Sequence, residues 1–372
     1  MKIAILGTKG IPNNYGGYEQ FAEYISVRLQ ERGHSVTVYN PSYHKFRDDY
    51  FKGVKIRRMF SPEGLLGGAA NIIYDYLCLK DALSGDFDII YEAGYHSVAP
   101  SYRWFKPKTG KKAVIITNMD GLEWKRSKWN RWIQLIIEKL EKIAVQESPF
   151  LISDNKGIQS YLKTKFNAES FYIPYGADPI HDFDRSYLSE FDIQEREYFI
   201  LVARLEPENN VETIIKAHLS SDTTLPLLVV GNHATKFGRY LKSLYQSSRI
   251  RFLGGIYLKK RLDSIRHYSK IYFHGHSVGG TNPSLLEAMA CQCFIVAHRN
   301  PFNESILESS AFYFDTKEDI QKVINDIDKI FDLNSKVMIA NNLSKIESLY
   351  NWDIVVDQHE KLFVSLLADK KQ

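Results

Sequence analysis

The sequence predicts an α/β chain of two doubly wound, parallel-sheet domains whose sheets face each other across a cleft. Three observations carry this expectation. Short, near-continuous apolar runs alternate with helical stretches along both halves, as strands buried on both faces do. The 372 residues are enough for two sizeable cores. Residues 176–195 are polar and acid-rich and contain Pro179, which reads as a link between the halves.

The first half opens with a strand at Lys2–Gly7 and a helix at Tyr18–Glu31, whose Phe21, Ile25 and Leu29 share one face. Ser35–Asn40, Val54–Met59, Phe87–Glu92, Lys112–Thr117, Pro149–Ser153 and Ser170–Ile173 read as further strands. The second half repeats the plan with strands at Tyr198–Ala203, Pro226–Val230, Arg251–Leu253, Ile271–His274, Phe294–Ala297 and Phe312–Phe314. In Tyr350–Leu367, the residues Trp352, Val355, Val356, Leu362, Phe363 and Leu366 recur at helical spacing. That helix either caps the second domain or returns to the first.

Composition narrows the class. With 44% hydrophobic and 25% charged residues, the chain reads as a soluble globular protein. Cys78, Cys291 and Cys293 form neither a metal pattern nor an even disulfide set, which fits a reducing cytoplasm. No charged-then-apolar leader opens the sequence, and no apolar run approaches the roughly 18 residues of a spanning helix. The net charge of +4 is uneven: residues 1–175 hold 25 Lys/Arg against 18 Asp/Glu, a net of +7, and the remainder carries −3. A basic first half suggests an anionic partner there, a membrane surface or a pyrophosphate.

The stretch His274–Ala290 is the most informative. It runs strand, glycine loop, helix: Gly275, Gly279 and Gly280 permit close backbone approach, and Pro283 or Ser284 opens a helix with Leu285, Leu286, Ala288 and Met289 on its apolar face. A loop entering a helix presents N–H groups and a positive dipole end to an anion. Glu287, near the end of the first turn, is in reach of a sugar hydroxyl beside that anion. Phosphate and ribose together describe a nucleotide; an ordinary strand–helix corner with a solvated Glu287 is the other reading these residues allow.

Other candidates lie at predicted strand ends. The first strand runs into Gly7-Thr8-Lys9-Gly10, which is not the dinucleotide Gly-x-Gly-x-x-Gly, so a nicotinamide enzyme is disfavoured. Gly16 and Gly17 precede a helix and either bring N–H groups to a phosphate or make a tight turn. Arg204 follows the first strand of the second half, where a guanidinium could meet the charge of a departing diphosphate or form a surface ion pair. Asp120, after the strand ending near Thr117, could orient a hydroxyl as general base or close the turn at Gly121. Asp154 reads as a helix N-cap. Tyr175 lies at the link, Gly231 ends a strand, and His276 adjoins the glycine loop. Asp86-Phe87-Asp88 and Asp182-Phe183-Asp184 match Asp-x-Asp only superficially: one begins a strand and the other is in the link, so no catalytic metal is expected.

The His274–Ala290 stretch resembles the nucleotide-sugar signature of the family 4 glycosyltransferases, in which Glu, seven residues, and Glu precede Ala-Met-Ala. Glu287 matches the second Glu; Gly279 stands at the first, and Asn209 stands where relatives carry a Lys. The run Gly-His-Ser-Val-Gly-Gly-Thr-Asn-Pro-Ser, with Ala203–Asn210 and the N-terminal block, is similar to a rhamnosyltransferase subgroup. The resemblance implies two facing Rossmann-like domains (the GT-B architecture): residues 1–176 for the acceptor, 177–349 for the donor, and 350–372 as a terminal helix crossing back. It implies retaining transfer of L-rhamnose from dTDP-rhamnose to a polyprenyl-diphosphate-linked saccharide of a bacterial surface polysaccharide. It places Arg204 and the amides around Gly280, Thr281 and Asn282 on the diphosphate, Glu287 on the ribose and Gly231 by the base. Gly16, Gly17, Asn209, His276 and Gly279 then join the donor site, and Asp120, Asp154 and Tyr175 serve acceptor activation.

Between Arg103 and Arg131, the residues Lys106, Lys108, Lys111, Lys112, Lys125, Arg126 and Lys128 are interleaved with Trp104, Trp124 and Trp129, and Trp132 follows. Basic and interfacial aromatic residues suit a headgroup layer. Nucleic acid is the other partner such a mixture allows; the resemblance favours peripheral contact with the cytoplasmic face of the inner membrane, and no nucleic acid.

Overall fold

The computed structural model describes residues 1–14, 16–105 and 113–370. It divides into two compact units. The first holds residues 1–124, 129–175 and the C-terminal helix Trp352–Asp369; the second holds Lys125–Lys128 and Gly176–Asn351. Each is an α/β unit around one sheet.

The first sheet has the order β3-β4-β2-β1-β5-β6-β7-β8, from β1 (Lys2–Leu6), β2 (Ser35–Pro41), β3 (Tyr50–Phe51), β4 (Val54–Met59), β5 (Ile89–Glu92), β6 (Val114–Met119), β7 (Phe150–Ser153) and β8 (Phe171–Tyr172). All pairings are parallel except β3 with β4. That two-residue edge strand escapes an apolar-run search. Its signal is local: Lys52 and Gly53 both take positive φ, 48° and 82°, as a two-residue hairpin turn requires. Ala4, Leu6, Tyr74, Leu79, Ile90 and Tyr102 build one of the unit's cores.

Two further features fix this unit. The expected Asp-x-Asp at the start of β5 clasps the chain start, with Asp88 accepting the Lys2 N–H at 2.7 Å and Asp86 pairing with the Lys2 ammonium at 2.6 Å. The helix Trp352–Asp369 packs on the helix Gly17–Glu31. Trp352, 1% exposed, stacks on Tyr24 with ring centroids 4.9 Å apart, and Arg32 pairs with Asp357 and Glu360.

The second sheet is entirely parallel, in the order β11-β10-β9-β12-β13-β14. Its strands are β9 (Phe199–Val202), β10 (Leu227–Val230), β11 (Ile250–Gly254), β12 (Ile271–His274), β13 (Ile295–His298) and β14 (Phe312–Phe314). Phe199, Leu201, Ile214, Val229, Phe273 and Val296 are buried in one core cluster. The other Asp-x-Asp is structural too: Asp182 pairs with Lys260 at 2.9 Å, and Asp184 accepts the Ser186 N–H at 2.9 Å. All three cysteines are free and buried. Among the described residues, no helix is long and apolar enough to cross a membrane, and no group of three or more His, Cys, Asp or Glu could hold a metal.

Candidate functional site

In the second unit β9 and β12 lie side by side, and the chain winds away from them in opposite directions. The loops leaving their C-terminal ends flank the crevice where doubly wound sheets receive ligands. Arg204 opens the first loop; His276, Gly279, Gly280, Thr281 and Asn282 belong to the second. The two are tied together. A Cβ on Gly275 would lie 2.1 Å from the Asn209 carbonyl oxygen, so only glycine fits there. Ser277 donates its N–H at 3.1 Å and its hydroxyl at 2.7 Å to the Glu208 carbonyl, and the Asn210 amide donates to the Gly275 carbonyl at 2.8 Å.

Within this frame Arg204 is exposed. Asn209 is 4% exposed, and its amide donates to the Arg204 carbonyl at 2.8 Å. It thereby fixes the backbone from which Arg204 projects. At Gly231 a Cβ would meet the Ala203 carbonyl at 2.2 Å, and its N–H donates to the Gly254 carbonyl, so close packing at the strand end requires a glycine.

In the second loop, His276 stacks on the wholly buried His274 with ring centroids 4.5 Å apart. Burial first, then the Arg204 cation, pushes the His276 pKa down to about 3, so its ring is neutral. Its carbonyl accepts the Asn300 and Asn303 amides at 3.1 and 3.0 Å. Gly279 takes φ 137° with open space around its missing Cβ. With His276, Gly280, Asn282 and Phe302 it lines a small pocket. Thr281 is 5% exposed. Asn282 caps the helix Pro283–Ala290, its side chain accepting the Ser284 N–H at 2.9 Å. The cap is neutral, so it leaves the helix dipole uncompensated. Glu287, whose side chain is 21% exposed, pairs at 2.8 Å with the buried Arg266.

In the first unit several candidates cluster at the strand ends. Asp120, directly after β6, accepts the Tyr18 hydroxyl. Asp154 follows β7 and is 8% exposed; Asn155, not Asp154, caps the next helix. The carboxyls of Asp154 and Asp120 both act on Tyr91, whose pKa burial foremost raises. Tyr175 is 7% exposed among Phe21 and Trp352, and its hydroxyl donates to the Gly17 carbonyl at 3.3 Å. That geometry makes it a support of the glycine loop. Gly16 caps the helix Gly17–Glu31, and Glu19, 3% exposed, accepts the Lys9 N–H at 2.8 Å. A carboxyl whose pKa burial raises therefore lies beside the Gly16-Gly17 loop.

The tryptophan-rich segment divides. Trp104 and Trp132 are 67% and 78% exposed, whereas Trp129 donates to Glu123 at 3.1 Å and Trp124 lies under the Lys165 ammonium. Lys106, Lys108, Lys111 and Lys112 lie outside the described residues.

Sequence reasoning missed Arg266, Tyr18 and Glu19. Arg266 sits in Lys259–His267, a helix so polar that no periodicity reveals its inward face. Glu19 left a readable signal, an acid three residues after a glycine N-cap.

Comparison with known proteins agrees with this geometry. Residues 188–345 match the model described as glycosyl transferases group 1, and residues 1–178 match a domain of unknown function, DUF1972. An uncharacterized glycosyltransferase of Methanocaldococcus jannaschii is 26% identical over 253 residues, which span 61% of each chain. Among solved structures, sucrose-phosphate synthase from Thermosynechococcus elongatus superposes with a TM-score of 0.80 at 15% identity over 99% of both chains. HepE of Anabaena, solved with UDP and glucose, superposes with a TM-score of 0.73 at 15% identity over 98% of this chain and 100% of its own. The fold is GT-B, and the match to glycosyl transferases group 1 falls within the second unit.

Proposed function

From a chain that carries a glycosyl transferases group 1 domain, we propose an enzyme that moves a sugar from a nucleoside diphosphate to a glycan acceptor. One observation carries the reading. At the β9/β12 switch point an exposed Arg204, a glycine loop and a neutrally capped helix converge, with Glu287 one turn along. The helix end and Arg204 stabilise the diphosphate as its charge grows on departure. Glu287 accepts a ribose hydroxyl. Asp120, linked to Tyr18, and Asp154 serve the acceptor side, which is the first unit's part.

The finer reading follows from the sequence resemblance: L-rhamnose from dTDP-rhamnose, transferred with retention and without a metal to a polyprenyl-diphosphate-linked saccharide. Peripheral attachment to the inner membrane is supported by the helix Arg131–Glu147. Its Trp132, Leu135, Ile136, Lys139 and Lys142 are exposed, while two of its three acids, Glu138 and Glu141, turn to Lys165 at 2.7 and 3.2 Å and the third, Glu147, lies 4.0 Å from Arg103. The outward surface is thus apolar and basic. A UDP-sugar donor is the second reading, favoured by the neighbour solved with UDP-glucose.

The test is a thermal-shift screen of dTDP-, UDP- and GDP-sugars, followed by transfer of label to a lipid-linked saccharide. A ligand bound only by the folded state raises the melting point by mass action. Selective stabilisation by dTDP-rhamnose with transfer supports the reading; binding of every donor without transfer would leave a non-catalytic binder. Co-sedimentation with anionic vesicles at low salt tests the membrane surface, and no binding there would remove it.

A further inference from the structure

We propose that Arg266 is a positioning residue for the nucleotide: buried in the second unit, it holds Glu287 and Ser284 in the geometry that a ribose and a diphosphate require. The proposal rests on the donor-side reading of that unit.

Arg266 lies on the helix Lys259–His267 and is 2% exposed. Its Nη2 donates to Glu287 at 2.8 Å and lies 3.4 Å from the Ser284 hydroxyl oxygen. Its Nη1 lies 3.3 Å from Asp263, which also pairs with Lys259. Ser284 in turn is 2.6 Å from the Tyr272 hydroxyl. Charges therefore alternate through the protein: Lys259 at its half-exposed end, Asp263 and Arg266 in the interior, and Glu287 reaching solvent at the site.

A buried guanidinium is costly unless carboxylates meet it, and here two do. The arrangement does more than neutralise charge. Arg266 ties two residues of the one helix whose N-terminus faces the glycine loop, Ser284 in its first turn and Glu287 one turn on. A free glutamate would lose rotamer freedom when it accepted a ribose hydroxyl. Arg266 imposes that loss before the ligand arrives, which is preorganisation. The planar fork of arginine can address Glu287 and Asp263 together; the point charge of lysine cannot.

The experiment titrates the full-length chain with UDP and dTDP in a calorimeter. Arg266→Lys, which keeps the charge, is expected to weaken the preferred nucleotide roughly tenfold. In transfer assays it raises the donor KM and leaves kcat near its parent value. In a Glu287→Ala background most of that effect disappears, and only the share that acts through Ser284 is left. Equal affinity in Arg266→Lys and the parent, or additive losses in the double variant, would overturn the proposal. If Arg266→Lys does not fold, Asp263→Asn serves instead: it leaves Arg266 and Glu287 in place but removes an anchor, and is expected to weaken binding about threefold, with no change overturning the proposal. A parent chain that binds neither nucleotide would refute the donor-side reading itself, an outcome distinct from the other two.

Discussion

Gly275→Ala tests whether the two loops at the switch point act as one piece. The backbone of Gly275 is not at positive φ, so alanine is conformationally acceptable and would gain about 0.4–1 kcal/mol from a less free unfolded chain. Against that stands contact. The new methyl would lie 2.1 Å from the Asn209 carbonyl oxygen and 3.0 Å from the Ile214 Cδ1. Overpacking of this kind costs about 1–3 kcal/mol. Relief requires the loops to part, which strains the two Ser277 bonds to Glu208 and the Asn210 bond to Gly275, each contributing about 1 kcal/mol. The contact terms win, and a net loss of about 2 kcal/mol is expected, or roughly 4–8 °C in melting temperature for a domain of this size. Differential scanning calorimetry reads the loss and nucleotide titration reads the weakened site. Gly64→Ala is the control, because nothing lies within 4 Å of its Cβ position and its φ is not positive. If Gly275→Ala melts and binds like Gly64→Ala, the coupling of the loops is refuted.

Three further outcomes are expected. Glu287→Ala weakens nucleotide binding by roughly tenfold in calorimetry while acceptor binding holds; equal donor affinity would remove its ribose role. Gly279→Glu does not raise activity, because φ 137° is a conformation that residues with a Cβ adopt at a cost of about 1–3 kcal/mol; faster transfer by that variant would show the loop to be indifferent to its backbone. Between about pH 5 and 7 the buried Asp75 carboxyl opposes the gain in stability that the buried histidines, their pKa values lowered, give as pH rises. Burial raises the Asp75 pKa to about 7 in the folded state, so the folded chain binds a proton that the unfolded chain has already released. That contribution is full at pH 4 and is lost as pH rises to 7, by about 2–3 kcal/mol between pH 5 and 7. Urea titrations at both values should show the parent losing about 2–3 kcal/mol relative to Asp75→Asn between pH 5 and 7; a stability difference that does not change with pH would refute the assignment.

The legible part of this protein was what depends on runs of residue type. Val54–Met59, Ile271–His274 and Phe312–Phe314 are strands with the expected bounds: the last two are apolar runs in a covered parallel sheet, and Val54–Met59 begins by alternating buried Val54 and Ile56 with exposed Lys55 and Arg57. The His274–Ala290 loop was legible for a similar reason: glycines followed by proline and an apolar face dictate strand, turn and helix. What escaped depends on partners distant in sequence. Nothing in Asn209 itself says that its amide will brace the Arg204 carbonyl, and nothing in Gly231 says that the Ala203 carbonyl will occupy the space of its Cβ. Tyr175 is similar: its place in the link said nothing of Phe21 and Trp352, which hold it from opposite ends of the sequence.

The two glycine loops show why net charge is a poor guide to an anion site. The first half carries the positive excess, and its Gly16-Gly17 loop enters a fifteen-residue helix, so by charge and by helix dipole it would be the stronger candidate. Yet Glu19 is 3% exposed and accepts the Lys9 N–H, so an incoming phosphate would meet a buried carboxyl beside that loop. The second half carries the negative excess, but its helix Pro283–Ala290 is capped by a neutral amide, starts with a proline that has no N–H to satisfy, and has no acid in its first turn. The Glu287 carboxylate, one turn along, is held by Arg266. On the proposed reading, a diphosphate at that end meets a helix terminus whose cap carries no charge and the exposed Arg204, a local field that over a few ångströms outweighs a whole-domain surplus screened beyond about 10 Å.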